Sequence, residues 1–282
     1  MGSGRQNKFG DQMNAKFISS ENNAIIKYIK SLRLKKQRVR NLQFVVEGVR
    51  IVDECLIHNV DIEYIVYSKD LHRVRNGTDL LNRISEKDYI IYEVSDKLFN
   101  RLAATESPQG IMAVVNMENI TLEDLKLRED KKLFFVILDR IQDPGNMGTI
   151  IRTSEGAEVD ALIVTKGSVD PYNDKVLRAT MGAVFYLPII QCEDDTWIKY
   201  LKEKNVKLIA ADLDTDKIYA DIDYDGNIGI IIGNEANGID KKILSNVDEK
   251  VVIPILGKVE SLNAAVAAGI LIYKAIEDRY LK

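Results

Sequence analysis

LFFVILDRIQDPGNMGTIIRTSEG, residues 133–156, sets six apolar residues directly before a Pro-, Gly- and Asn-containing segment and a helical pattern. A short apolar run bounded by turn residues reads as a buried strand. The same alternation continues downstream. Strands are expected at ALIVT (161–165), VFYLPII (184–190), KLIAA (207–211), IGIII (228–232) and VVIP (251–254). Helical patterns fall at about 146–157, 173–182, 195–204 and 240–245, with a long final helix at about 263–280. Near-continuous apolar strands joined by helices indicate a parallel sheet covered on both faces. Residues 133–282 therefore read as an α/β domain. Its last helix, AAVAAGILIYKAI at 264–276, is rich in alanine and allows close packing, equally against the sheet or against a partner subunit.

Upstream, residues 16–115 read as a smaller α/β domain. A helix at about 22–33 leads into a basic turn. FVVEG (44–48) is a strand, VRIVDECLI (49–57) has helical periodicity, and IEYIVYS (62–68), YIIYEV (89–94) and IMAVV (111–115) are strands. Residues 116–132 are charged, lack a continuous apolar stripe and serve as a linker. Residues 1–15 are polar, contain glycine and read as a disordered start without the apolar core of a signal peptide.

At 282 residues, two domains are the better prior. Hydrophobic content of 46% and charged content of 29% belong to a globular protein. No apolar run reaches the roughly 18 residues of a membrane span, so no membrane association is expected. Cys55 and Cys192 lie far apart without CxxC spacing and read as buried, reduced thiols of a cytoplasmic protein. With only His58 and His72, no metal site and no histidine catalysis is expected. The net charge is −4, yet residues 1–50 carry eleven Lys/Arg and three Asp/Glu. That segment is +8 and the remainder −12. Lys27, Lys30, Arg33, Lys35, Lys36, Arg38 and Arg40 have no acid among them. Such a run is an electrostatic footprint for nucleic acid, or a solvated helix face, at even odds.

Three strand-following segments carry the chemistry, since ligands bind at the carboxyl ends of strands in α/β sheets. In the first, Pro144 and Gly145 suit a turn, Asn146 a helix N-cap, Gly148 a close approach, and Arg152 an anion held near the helix start. In the second, Gly233-Asn234-Glu235-Ala236-Asn237-Gly238, two glycines bracket a carboxylate. Glu235 is placed to orient a hydroxyl or a cation such as Arg152, or is an exposed acid in a turn. In the third, Pro254 and Gly257 prevent regular structure, Ser261 suits a helix cap, and Asn263 can donate and accept. No P-loop and no strand-linked G-x-G-x-x-G is present, which counts against ATP and NAD.

N-x-G-x-x-x-R at 146–152, G-N-E-x-x-G at 233–238, and I-P-x-x-G with S-L-N at 253–263 resemble the three motifs of the SpoU/TrmH class of SPOUT RNA 2′-O-ribose methyltransferases. The likeness covers residues 133–282. The basic helix followed by FVVEGVRIVDECL is similar to the family's RNA substrate-binding domain. The resemblance implies an α/β fold with a C-terminal trefoil-knotted domain built on a parallel sheet, plus a small N-terminal α/β substrate-binding domain. It implies S-adenosylmethionine as cofactor, contacted at Gly233, Ile253 and Leu262, with Leu213, Asn234 and Gly257 beside them. It implies a homodimer formed through the C-terminal domain. Asn146, Arg152, Glu235, Ser261 and Asn263 would form the catalytic and RNA-positioning set.

The family's proposal makes Arg152 the proton acceptor. Arginine is essentially always protonated, so a clamp and electrostatic stabiliser is the better physical role, with proton loss late or to solvent. At 168–182 the family has Pro-Lys before the helix, whereas Asp174 precedes Lys175 here; Lys175 and Arg178 are further candidates for RNA contact. The expected activity is ribose 2′-O-methylation of structured RNA, with 23S rRNA ahead of tRNA. A non-catalytic RNA-binding protein on the same fold is the alternative.

Overall fold

A computed structural model describes residues 15–127 and 130–281. Residues 1–14, most of the segment expected to be disordered, lie outside it. The chain divides into two compact units, Met1–Gln37 with Gln43–Asn116, and Arg38–Leu42 with Met117–Lys282.

The first unit holds β1 (Ala15–Ile18), α1 (Ala24–Ser31), the start of α2 (Lys35–Asn41), β2 (Gln43–Glu47), α3 (Val49–Ile57), β3 (Ile62–Tyr67), α4 (Gly77–Ser85), β4 (Ile91–Val94), α5 (Asp96–Leu102) and β5 (Ile111–Asn116). Its sheet runs β1-β4-β3-β5-β2, with β5 antiparallel to both neighbours and the remaining pairs parallel. Ile26, Ile29 and Leu32 bury one side of α1 against Leu98, Phe99 and Met112, while Lys27 stays exposed. The segment that reads as a basic turn is helix α2. β1, α4 and α5 are additions to the elements expected from the sequence.

The second unit contains β6 (Phe134–Leu138), α6 (Pro144–Gly156), β7 (Ala161–Thr165), α7 (Asp174–Thr180), β8 (Ile189–Cys192), α8 (Thr196–Glu203), β9 (Lys207–Ala211), β10 (Ile228–Ile232), α9 (Lys241–Leu244), β11 (Glu249–Val251) and α10 (Ala264–Ile276). The sheet is wholly parallel, in the order β11-β9-β10-β6-β7-β8. Every residue of β6 and β10 is buried, as expected for central strands covered on both faces. One side packs Phe135, Ile137, Trp197, Leu201 and Ile231 together. On α10, Ala264, Ala265, Ala268, Leu271, Ile272 and Ala275 are buried, and the helix packs on α6 and β10.

Two strands differ from expectation. Residues 184–190 are not one strand, because Ala183–Phe185 form a 3-10 turn and β8 begins only after Pro188. Proline cannot donate to a ladder, and here only its carbonyl takes part, accepting from Leu162 N at 2.9 Å. β11 ends at Val251 rather than running through 251–254, since Val252 N donates to Lys217 O at 2.9 Å and the chain leaves β9.

Gly148 fixes how α6 meets α7. A Cβ there would lie 2.4 Å from the Ala179 Cβ and 2.8 Å from the Val176 carbonyl. Gly148→Ala is therefore expected to destabilise the protein by about 1–3 kcal/mol through overpacking, read as a lowered denaturant midpoint at unchanged slope.

Candidate active site

The pairing of strands brings the chemistry-bearing loops together. Leu138 is paired with Ile232, Ala210 with Ile231, and Ala211 with Val251, so β11, β9, β10 and β6 end side by side. A cavity of about 220 Å³ opens at these ends. After β9 it is lined by Asp212 and Leu213, after β10 by Gly233–Ala236 and Gly238, after β11 by Ile253 and Ile255, and at the start of α10 by Ser261 and Leu262. Among the described residues, Asp212 and Glu235 are the only charged ones in the lining, and no Lys, Arg or His contributes. Lys250 Nζ lies 3.0 Å from Asp212 Oδ2.

The loop after β10 folds on itself. Asn234 N donates to Gly238 O at 3.1 Å and Gly238 N returns to Asn234 O at 2.9 Å. Asn234 Oδ1 accepts from the backbone of Ala236 and Asn237, both at 3.0 Å, while Nδ2 donates to Arg140 O at 2.9 Å. Those polar groups are occupied within the fold, so Asn234 shapes the cavity wall that it lines. Gly233 is needed because a Cβ would meet Gly238 C at 2.5 Å.

Asn146 joins all three motifs. The N-cap of α6 is Asp143, not Asn146: Asp143 Oδ1 accepts from Asn146 N at 2.8 Å, and Pro144 and Gly145 are already helical. Proline suits that first helical position because its missing N–H would be unpaired there anyway. Asn146 is thereby freed for other partners. Its Nδ2 donates to Glu235 Oε1 at 2.5 Å and its Oδ1 accepts from Asn263 Nδ2 at 2.9 Å. Asn263, rather than Ser261, caps α10, accepting from Ala265 N at 3.0 Å and Val266 N at 3.3 Å. The direction of the chain follows from that cap. The oxygen of Asn263 is held by backbone N–H groups, so its NH2 must face Asn146, and the NH2 of Asn146 must face the carboxylate.

Glu235 thus takes Asn146 as its partner within the chain, and not Arg152. Arg152 is exposed on α6, and its side chain makes no hydrogen bond or ion pair to another described residue. Gly257 is exposed and does not line the cavity.

Among the basic candidates, Lys27, Lys35, Lys36, Arg40, Lys175 and Arg178 are exposed. Lys30 lies 3.8 Å from Glu21 and Arg33 donates to Leu102 O. Arg38 differs from the rest. It is buried and forms an ion pair with Asp170, Nε at 2.9 Å and Nη2 at 2.5 Å from the same oxygen. That guanidinium is committed inside the protein, which corrects its expected exposure to RNA phosphates. Burial raises both thiols, Cys192 to about 11, so they stay protonated at neutral pH. Among the described residues no His, Cys, Asp and Glu are grouped to hold a metal, and no helix is long and apolar enough to cross a membrane.

The sequence reading misses Asp143, Asp212 and Ile255. The Asp-Pro pair at 143–144 carries the N-cap signal. Asp212 follows the strand KLIAA directly, in the same strand-following position as the other three loops.

A sequence profile of the SpoU rRNA Methylase family matches residues 133–273, and one of the MRM3-like substrate binding domain matches 23–113. The 23S rRNA (guanosine(2553)-2'-O)-methyltransferase RlmP of Bacillus subtilis is 34% identical over 258 residues, covering 92% of this chain and 98% of the relative. The chain belongs to the SpoU rRNA methylase family. Other family members extend the likeness. The 23S rRNA (uridine(2479)-2'-O)-methyltransferase of Streptomyces viridochromogenes is 28% identical, over 94% of this chain and 93% of the relative. The crystal structure of an AdoMet-bound rRNA methyltransferase from Sinorhizobium meliloti aligns with a TM-score of 0.82 at 29% identity, covering 93% of this chain and 97% of that one. These matches span both units of this SpoU-family chain, not the C-terminal one alone.

Because the amide of Asn146 bridges Glu235 and Asn263, Asn146→Asp should be severe. The substitution keeps the shape but turns a donor into a carboxylate facing Glu235. Methyl incorporation into RNA is expected to fall at least about tenfold, equivalent to about 1.4 kcal/mol in the barrier, with far-UV circular dichroism unchanged.

Proposed function

We propose that the protein transfers a methyl group from S-adenosylmethionine to a ribose 2′-hydroxyl of 23S ribosomal RNA. The observation that carries this reading is the lining of the cavity. Among the described residues its charged lining groups are Asp212, paired with Lys250 behind it, and Glu235; with no cation in the lining, the cavity suits a cationic ligand better than the phosphates of ATP or NAD. Leu213, Ile253, Ile255 and Leu262 offer apolar surface to a purine. The AdoMet-bound neighbour named above and the names of the curated relatives support the same ligand and substrate. Guanosine 2553, the position in the name of the B. subtilis relative, is the first to map.

When bound, S-adenosylmethionine supplies a methyl group already activated by its sulfonium. The protein's task is alignment and charge. Arg152, whose side chain has no partner among the described residues, clamps an RNA phosphate and stabilises the developing alkoxide. Glu235, fixed on one oxygen by Asn146, has its second oxygen for a substrate hydroxyl. Ser261 lines the cavity beside Glu235, and Asn263 holds Asn146 from the start of α10. The hydroxyl proton leaves late, to solvent. RNA is gripped electrostatically by Lys27, Lys35, Lys36, Arg40, Lys175 and Arg178.

Two copies pair through the C-terminal unit. Val266 and Tyr273 on the outer face of α10, with Leu256 and Val259 before it, are exposed large apolar residues of the kind that mark an interface. The sheet order, with α10 packed back on α6 and β10, fits the knotted connection of the family. The protein works in the cytoplasm, where its substrate is assembled.

Arg152→Ala is expected to retain S-adenosylmethionine binding in calorimetry and to lower methyl transfer by about 100- to 1,000-fold; normal turnover in this variant would refute the assignment. Replacing Lys27, Lys35, Lys36 and Arg40 together with alanine should flatten the dependence of RNA affinity on salt, by about 0.7–0.9 in the log–log slope for each phosphate that is no longer neutralised.

A further inference from the structure

The methyl-transfer reading gives no part to Asp139, a carboxylate 2% exposed at the end of β6. It is surrounded by donors. Oδ1 accepts from Thr165 Oγ1 at 2.9 Å. Oδ2 accepts from Asp240 N at 2.8 Å, and from Arg140 Nε and Nη2 at 3.2 and 3.1 Å. Asp240 is the residue at which the Glu235 loop ends and α9 is capped. A buried carboxylate satisfied by a neighbouring cation, a hydroxyl on β7 and a backbone N–H beyond the loop is a built junction.

The junction reaches the loop at two further points through Arg140. The Arg140 carbonyl accepts from Asn234 Nδ2 at 2.9 Å, and Nη2 donates to Gly238 O at 3.2 Å. Arg140 makes both contacts with φ at +56°, in the left-handed region a non-glycine residue enters only when its surroundings hold it there. The loop from 234 to 238 closes on itself and is pinned to residues 139–140 at its start, its end and just beyond. Glu235 stands at its exposed tip. Its partner in the chain, Asn146, lies on α6, which begins four residues after Arg140. The segment 139–140 is therefore the common base from which both Glu235 and Asn146 are held.

We propose that Asp139 is a positioning residue that sets the Glu235 loop against Asn146 and against the cofactor cavity. This rests on the methyl-transfer reading, and wild-type cofactor binding and RNA methylation, measured alongside the variants, test that reading by themselves. If the wild type binds and transfers, the variants address Asp139 alone. Asp139→Ala strands three donors and releases the loop end. Its dissociation constant for S-adenosylmethionine is expected to rise at least tenfold and kcat at saturating cofactor to fall at least tenfold, with the KM for RNA within twofold of wild type. Asp139→Asn keeps the shape and an acceptor oxygen for Asp240 N, since the Thr165 hydroxyl can turn to accept from the new amide; it is expected to stay within about threefold of wild type on all three parameters. Leu201→Ala, in the core away from the cavity, supplies a variant of lowered melting temperature with unchanged cofactor affinity. Should Asp139→Ala not fold, Thr165→Val removes one bond from the same carboxylate, and at least a threefold loss of cofactor affinity is expected. A folded Asp139→Ala or Thr165→Val with wild-type affinity and kcat overturns the proposal. So does an Asp139→Asn as impaired as the alanine variant, or a loss of affinity in Leu201→Ala matching that in Asp139→Ala.

Discussion

The parallel pairing of β6 with β10 is the constraint on which the C-terminal unit depends. Both strands are buried throughout, so their backbone groups are withdrawn from water and pair mainly with each other and the flanking strands. Their register sets Leu138 against Ile232, and the ladder extends one step further as Asp139 N donates to Ile232 O at 2.9 Å. Two loops distant in sequence therefore leave the sheet from the same point. A shift of one residue would turn every side chain of β10 to the opposite face and carry Glu235 away from Asn146. Apolar burial in the sheet thus determines the geometry of a polar site.

That site is held by hydrogen bonds whose direction is dictated by the backbone. The N-terminus of α10 orients Asn263, Asn263 orients Asn146, and Asn146 orients Glu235. Asp143 makes this possible by taking over the capping of α6. The glycines serve proximity: Gly148 admits α7, and Gly233 lets its own loop close. A side chain at either place would push apart elements that the polar chain requires to meet.

On the methyl-transfer reading we propose, the charges of the protein suit two ligands of opposite sign. Lys and Arg side chains on α1, α2 and α7 are exposed, while among the described residues the charged groups lining the cavity are Asp212 and Glu235. On the proposed reading Arg152, on the helix that also carries Asn146, is the cation for the negative charge that develops on the ribose oxygen. A single basic surface would have bound RNA but would have repelled a sulfonium.

Much of this is legible in the residues. ALIVT, KLIAA and IGIII are strands to the residue, and VRIVDECLI is a helix to the residue, because burial on both sheet faces and amphipathic periodicity are local patterns. The motif residues Asn146, Glu235 and Asn263 also stand out in the sequence. VFYLPII misleads because its apolar content is that of a strand while Pro188 forbids the ladder. Lys35–Asn41 reads as a turn because it lacks an apolar stripe. Arg38 looks like its neighbours in the basic run, yet it is buried on Asp170, 132 residues later in the chain. Sequence alone determined the central strands of the C-terminal unit, the loops that follow them, and that the N-terminal region is basic. Only the tertiary structure decided which residues cap the helices, which partner Glu235 takes, and which arginine is withdrawn from solvent. Strand formation depends on residues close in the chain, whereas a hydrogen-bond partner is settled by whichever donor the folded sheet delivers within reach.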